Sequence, residues 1–119
     1  MQVIQNEHIV MFDCDETLIF NVGVKYSHPE KFRIIYQGIK SFAIPHNTHI
    51  EALKTFKKNG YTVVVWSHGR WGWAEVVVKA LKLQPYVDLI ISKPNFIYDD
   101  APLDINFDRI WKNDPNEPK

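Results

Sequence analysis

The stretch Ile9-Val10-Met11-Phe12-Asp13-Cys14-Asp15-Glu16-Thr17-Leu18 decides how this chain is read. Four apolar residues run without alternation straight into an acidic turn. A run of that length, rich in β-branched and aromatic residues, suits a strand buried on both faces, as in a parallel sheet. Thr62-Val63-Val64-Val65-Trp66, running into Ser67, repeats the pattern. Helical signals lie between and after the two. Asn47 offers a cap, Thr48 and Glu51 stand at capping-box spacing, Ile50, Leu53 and Phe56 mark an apolar face, and Asn59-Gly60 supplies a stop. Ala74, Val77, Val78 and Leu81 predict a second helix, ended by Pro85. Val87 to Ser92 and Phe96 to Asp99 read as further short strands. The order predicts an α/β domain, a small Rossmann-like parallel sheet flanked by helices.

Residues 20–45 break the simple alternation. Phe32-Arg33-Ile34-Ile35-Tyr36 and Ile39-Lys40-Ser41-Phe42-Ala43-Ile44 flank Gln37-Gly38, which predicts a β-hairpin flap at about 32–44, inserted after the first strand. Near the C-terminus Leu103, Phe107, Ile110 and Trp111 suggest one short helical face. Residues 1–112 are expected to form a single domain without a cap domain, and residues 113–119 a flexible tail.

Composition bounds the function. The chain has 119 residues, too few for two separate cores. Its 14 basic and 14 acidic residues cancel, which argues against gripping extended nucleic acid through bulk charge, although a local basic patch is compatible with the balance. One cysteine forms no internal bridge. The longest apolar runs are far short of a membrane span, and the first seven residues do not resemble a signal peptide. A cytoplasmic location, with no membrane partner, is the expectation.

The acids carry the chemical information. Asp13 and Asp15 follow the first buried strand directly, and the carboxyl ends of strands line the ligand crevice of open α/β sheets. Asp99-Asp100 end the run Phe96-Ile97-Tyr98, so four carboxylates are expected at one sheet edge. At an effective dielectric of 20, each close pair of like charges costs roughly 4 kcal/mol, and a bound cation is the simplest compensation. Oxygen ligands favour Mg²⁺ over Zn²⁺, since the five histidines and one cysteine offer no zinc spacing.

Asp-x-Asp-x-Thr at 13–17, Ser67 after a hydrophobic strand, Lys93 in Ser92-Lys93-Pro94, and Asp99-Asp100 resemble, in order, the four motifs of the haloacid dehalogenase-like phosphohydrolases. The resemblance runs from about His8 to Asp104. It implies a Mg²⁺-dependent phosphomonoester hydrolase of compact, capless type. By that resemblance Asp13 is the nucleophile that forms an aspartyl-phosphate, and Asp15 the general acid and base. Thr17 would support the turn. Ser67, the backbone N–H of His68, and Lys93 would hold phosphate. Mg²⁺ would sit among Asp13, the Asp15 carbonyl, and Asp99 or Asp100. For Ser67 a helix cap is an equally direct reading, and both roles can hold at once.

Lys93 raises a problem of reach. In the family's sheet order, the strand before the lysine and the strand carrying the acids lie three spacings apart, about 14 Å. Returning down the sheet lengthens the diagonal toward about 20 Å, whereas the five residues Pro94 to Tyr98 extend only about 17 Å. Either the strand from Val87 is short or displaced, or Lys93 lies elsewhere.

A hairpin in place of a cap leaves the site open. The expected substrate is phosphorylated, either a small molecule or the end of a macromolecule. Arg70, Trp71 and Trp73 are candidates for its recognition, with at least one tryptophan expected in the core. Cys14, between two acids, is expected to be a packed, unreactive thiol. Two other functions compete: a receiver-like phospho-acceptor, which needs no general acid at Asp15, and an inactive metal- or phosphate-binding protein.

Overall fold

The computed structural model describes residues 1–102 and 107–118. The elements are β1 (Ile9–Asp13), β2 (Ile19–Val22), β3 (Phe32–Tyr36), β4 (Ile39–Pro45), α1 (Asn47–Lys58), β5 (Thr62–Ser67), α2 (Arg70–Ala80), a 3-10 turn (Gln84–Tyr86) and β6 (Leu89–Ser92). The fold is α/β, with a parallel three-stranded sheet in the order β1-β5-β6 and a separate antiparallel sheet in the order β2-β4-β3. No helix of the described residues is long and apolar enough to cross a membrane.

The core explains which periodicities mattered. Phe12, Val63 and Val65 are buried with Ile50 and Leu53 of α1, Ala74, Val77 and Val78 of α2, and Ile34 and Ala43 of the second sheet. Alternate positions of β1 face away from this cluster, and Ile9 and Met11 are 49% and 42% exposed. Burial on both faces therefore fits β5, whose Val63, Val64 and Val65 are all buried, but not β1. β1 lies at the edge of its sheet.

The hairpin forms as read, with Gln37 and Gly38 both at positive φ, 51° and 77°, as a two-residue turn matched to strand twist requires. It gains a third strand: β2 pairs with β4, Val22 opposite Phe42. Three expectations are corrected. The α1 cap is His46, whose Nδ1 accepts from His49 N–H at 3.1 Å, in place of Asn47 or Thr48. The strand expected over 96–99 does not form, because no neighbour among the described residues pairs with it. Of the expected C-terminal helical face, Leu103 lies outside the described residues, and residues 107–111 are not helical.

The segment read as a flexible tail packs against α1. The Asp114 carboxylate accepts from Thr48 N–H at 2.7 Å, Thr48 Oγ1 at 2.6 Å and Asn116 N–H at 2.9 Å. Asn116 Nδ2 donates to Glu30 Oε2 at 2.7 Å and to the Pro45 carbonyl at 3.0 Å. Both side chains are buried. Polar residues are what a buried tail needs here, because α1 begins with N–H groups that lack helical partners.

Candidate active site

The turn after β1 is built around one carbonyl. Cys14 O accepts from the N–H groups of Thr17, Leu18 and Ile19 at 3.1, 2.9 and 3.2 Å. Glu16, at φ 62°, turns the chain in the left-handed region, a conformation that surrounding contacts must hold. Those contacts are present. Asn21 N–H donates to Glu16 Oε1 at 3.2 Å, and Trp111 Nε1 donates to Glu16 O at 2.9 Å. The Cys14 thiol is buried, and burial, then the negative charges of Asp13 and Asp15, push its pKa up to about 12, so it has no thiolate chemistry near neutrality.

Asp13, the last residue of β1, lies level with Trp66 of β5, while Ser67 lies level with Ser92 of β6. The functional candidates thus share the carboxyl edge of the parallel sheet. Lys93 follows β6 directly. Its N–H donates to Ser67 O at 3.0 Å, and its Nζ lies 3.4 Å from Asp13 Oδ1 and 5.6 Å from the centre of the Trp66 ring. The problem of reach disappears for a physical reason. With no strand over 96–99, nothing obliges the chain to return down the sheet, and Lys93 needs only to extend the pairing of β6 with β5.

Arg70, a candidate for substrate recognition, braces the turn after β6. Its Nη1 donates to Lys93 O at 3.1 Å and its Nη2 to Asn95 Oδ1 at 2.8 Å, so the guanidinium binds the turn that presents Lys93. Arg70 itself has φ 76°, a second strained backbone position beside the site. Trp71 is 60% exposed, and its N–H donates to Ser92 Oγ at 2.9 Å. His68 is also exposed. Ser67 is buried, with Oγ accepting from Gly69 N–H at 2.9 Å. Gly69, not Ser67, occupies the cap position of α2, so the serine closes the turn before the helix. Because that hydroxyl accepts from Gly69, its own hydrogen remains available to an acceptor.

Two side chains hold Asp15, and one of them, Asn21, has no local signal in the sequence. Trp73 Nε1 and Asn21 Nδ2 both donate to Asp15 Oδ1, at 3.1 and 2.9 Å. Of the two tryptophans considered for substrate recognition, of which at least one is expected in the core, Trp73 is the one that packs there, against Tyr36 of the hairpin, edge to face at 5.7 Å. A side chain at Gly72 would collide with the Tyr36 hydroxyl, so glycine there lets β3 close on α2. The hairpin therefore supports the ring that holds Asp15.

A buried histidine pair braces the other side of the turn. His46 and His49 stack with centroids 3.6 Å apart. His49 Nδ1 donates to Thr17 O at 2.7 Å, while its Nε2 accepts from Lys112 N–H at 2.8 Å. His46 Nε2 donates to Lys112 O at 2.8 Å. Each ring thus accepts through one nitrogen and donates through the other, which requires both to be neutral. The spacing His46-Asn47-Thr48-His49 was a visible signal, but nothing local joins it to residue 112.

Asp99 and Asp100 are not brought to this site. Both are exposed, and Asp99 Oδ1 accepts from Ala101 N–H at 3.1 Å within its own turn. Among the described residues no three histidine, cysteine, aspartate or glutamate side chains gather as a metal-holding group. Of the acids implied as ligands, Asp13 stands at the sheet edge with Oδ1 3.4 Å from Lys93 Nζ. Mg²⁺ is commonly held by one or two carboxylates completed by substrate phosphate and water, and Asp13 is the carboxylate that would hold it here. Comparison of the chain with protein-family models, curated proteins and solved structures finds no match.

Proposed function

We propose that this protein is a phosphomonoester hydrolase of the haloacid dehalogenase-like type, acting through phospho-Asp13 on a small Rossmann-like scaffold in the cytoplasm. The observation that carries the reading is the Lys93–Asp13 contact at the carboxyl edge of the sheet, 3.4 Å between Nζ and Oδ1, with Asp15 two residues on. A nucleophilic carboxylate facing a phosphate dianion needs a nearby cation, and Lys93 supplies one.

In the first displacement an Asp13 carboxylate oxygen attacks phosphorus, and the bond from phosphorus to the ester oxygen breaks. Asp15 donates a proton to that leaving oxygen. Trp73 and Asn21 occupy Asp15 Oδ1, so the proton is exchanged at Oδ2. In the second displacement water attacks the phosphorus, Asp15 takes the water's proton, and the acyl-phosphate bond breaks to release phosphate and restore Asp13. Mg²⁺, held by Asp13 and the Asp15 carbonyl, would supply charge neutralisation at the phosphate oxygens. Ser67 and the turn at His68 would face the same oxygens, with Arg70 holding Lys93 in place.

The receiver-like alternative draws on the same Asp13–Lys93 pair. Asp15 separates the two readings, because a switch is labelled once whereas an enzyme turns over. An inactive binding protein is favoured by the separation of Asp99 and Asp100 from Asp13. Turnover of a generic aryl phosphate with Mg²⁺, with chelator, and by the Asp13→Asn variant tests the proposal. Metal-dependent release of phosphate that disappears in the variant supports it, and unchanged release in the variant overturns it.

A further inference from the structure

The loop from β2 to β3, with Phe42 of β4, encloses an open depression of about 730 Å³ that plays no part in the chemistry above. Lys25, Lys31 and Arg33 line it together with Tyr26, Phe32 and Phe42. Among the described residues no acidic one lines it. Among the described residues none of these three cations is in a salt bridge, whereas Lys54, Lys57, Lys79 and Lys93 each are. The closest acid in sequence, Glu30, is committed to Asn47 and Asn116. Lys31 is held in place, its Nζ donating to the Val24 carbonyl and lying 4.6 Å from the centre of the Phe42 ring. A chain of zero net charge has therefore gathered three cations outside any salt bridge among aromatic rings at one place, with the Glu30 carboxylate next to Lys31 in sequence.

We propose that this depression binds a short single-stranded nucleic acid. Cations that track phosphates, interleaved with rings on which bases stack, are the combination such strands require. An acidic peptide would use the cations and leave the rings idle. A duplex keeps its base faces stacked inside and offers the rings nothing. The position adds a reason, which rests on the phosphohydrolase reading. Asn21 of β2 holds Asp15, and Lys25 follows it by four residues, at most about 14 Å of chain. A strand whose terminal phosphate lies at Asp13 would lay its next nucleotides over the depression. The substrate class is then a phosphorylated oligonucleotide end, and short local contact replaces the bulk charge that the composition lacks.

Fluorescence anisotropy of labelled oligothymidylate, with and without a terminal phosphate, tests the site on the intact protein. Lys25→Ala, Arg33→Ala and Tyr26→Ala are compared with the unaltered chain, each checked for folding by circular dichroism. Each lost charge is expected to lower the slope of log affinity against log salt by about 0.7, and the lost ring to weaken binding about fivefold to a hundredfold. Aryl-phosphate turnover should be unchanged in all three. Affinity equal to that of the unaltered chain in every variant overturns the proposal, as does equal or tighter binding of polyglutamate or of a duplex of the same length. If the variants lose the oligonucleotide and the unaltered chain hydrolyses no aryl phosphate, the binding site stands and the hydrolase reading fails.

Discussion

Two acidic pairs of similar composition, Asp13-Cys14-Asp15 and Asp99-Asp100, each follow a short apolar run, and the structure treats them in opposite ways. The first pair ends a strand in register with β5 and is held by Lys93, Asn21 and Trp73. The second follows Phe96, Ile97 and Tyr98, which are 87%, 50% and 102% exposed and pair with no strand among the described residues. A run of strand-forming residues becomes a strand only where another strand offers its backbone, because β-propensity measures fit to a surface and not a property of the segment alone. Position at a sheet edge, more than acidity, separates the two pairs.

That contrast can be broken or sharpened in graded steps. The largest effect is expected from Asp13→Asn, a loss of about three orders of magnitude or more in aryl-phosphate turnover, measured at saturating substrate. Asp15→Asn should cost about a hundredfold to ten-thousandfold in the same assay, since it removes the proton carrier and leaves the nucleophile. Trp73→Phe keeps most of the ring and removes the N–H that holds Asp15. A loss of about tenfold in kcat with little change in KM is expected, and an unchanged kcat would show that Asn21 suffices. Asp99→Asn should change turnover less than about threefold and leave the Mg²⁺ requirement where it was. A tenfold rise in the Mg²⁺ needed would erase the distinction between the pairs and bring the second acid to the cation.

Acid should loosen the C-terminal brace before it touches the carboxylates. Burial pushes the His49 ring below the ordinary imidazole value, against a smaller opposing effect of its bond to Thr17 O. The folded state therefore binds its proton later than the unfolded chain, and the stability this ring contributes is fully present above the unfolded value, about 6.5, and lost as pH falls through the depressed folded value. For Asp114 burial raises the value, but hydrogen bonds from Thr48 and Asn116 outweigh it and hold the carboxyl below its usual range. Its contribution persists above the unfolded value, about 3.9, and disappears further into acid. Chemical denaturation followed between about pH 7.5 and 5 should show declining stability. His49→Gln should flatten that decline, and an equally steep fall in the variant would assign it to other groups.

Much of the placement of the candidate site is legible in the chain because its parts are local. The run into Asp13, the run into Ser67, the α2 periodicity and the Gln37-Gly38 turn each declare themselves within a few residues, and the order of Asp13, Asp15, Ser67 and Lys93 does the rest. What could not be read depends on pairing at long range. Trp111 reaches Glu16, Lys112 reaches the histidine pair, and Asp114 accepts from the first turn of α1, each across dozens of residues with no periodic signature. Proline, asparagine and acids at 113–118 carry the composition of a loose end, yet one of them, Asp114, accepts from Thr48 N–H and Oγ1 at the start of α1. The reach of Lys93 looks too short only on the assumption of a fourth strand; the strand expected from Val87 is short, Leu89–Ser92, and Lys93 reaches Asp13.

The central claim is that Asp13 carries the phosphoryl group. Mass spectrometry of protein quenched in acid during aryl-phosphate turnover tests this most directly. The account predicts one phosphoryl group on the peptide containing Asp13, declining as substrate is exhausted and persisting longer in Asp15→Asn. Continued turnover with that peptide unlabelled, or with the label on another residue, would contradict it.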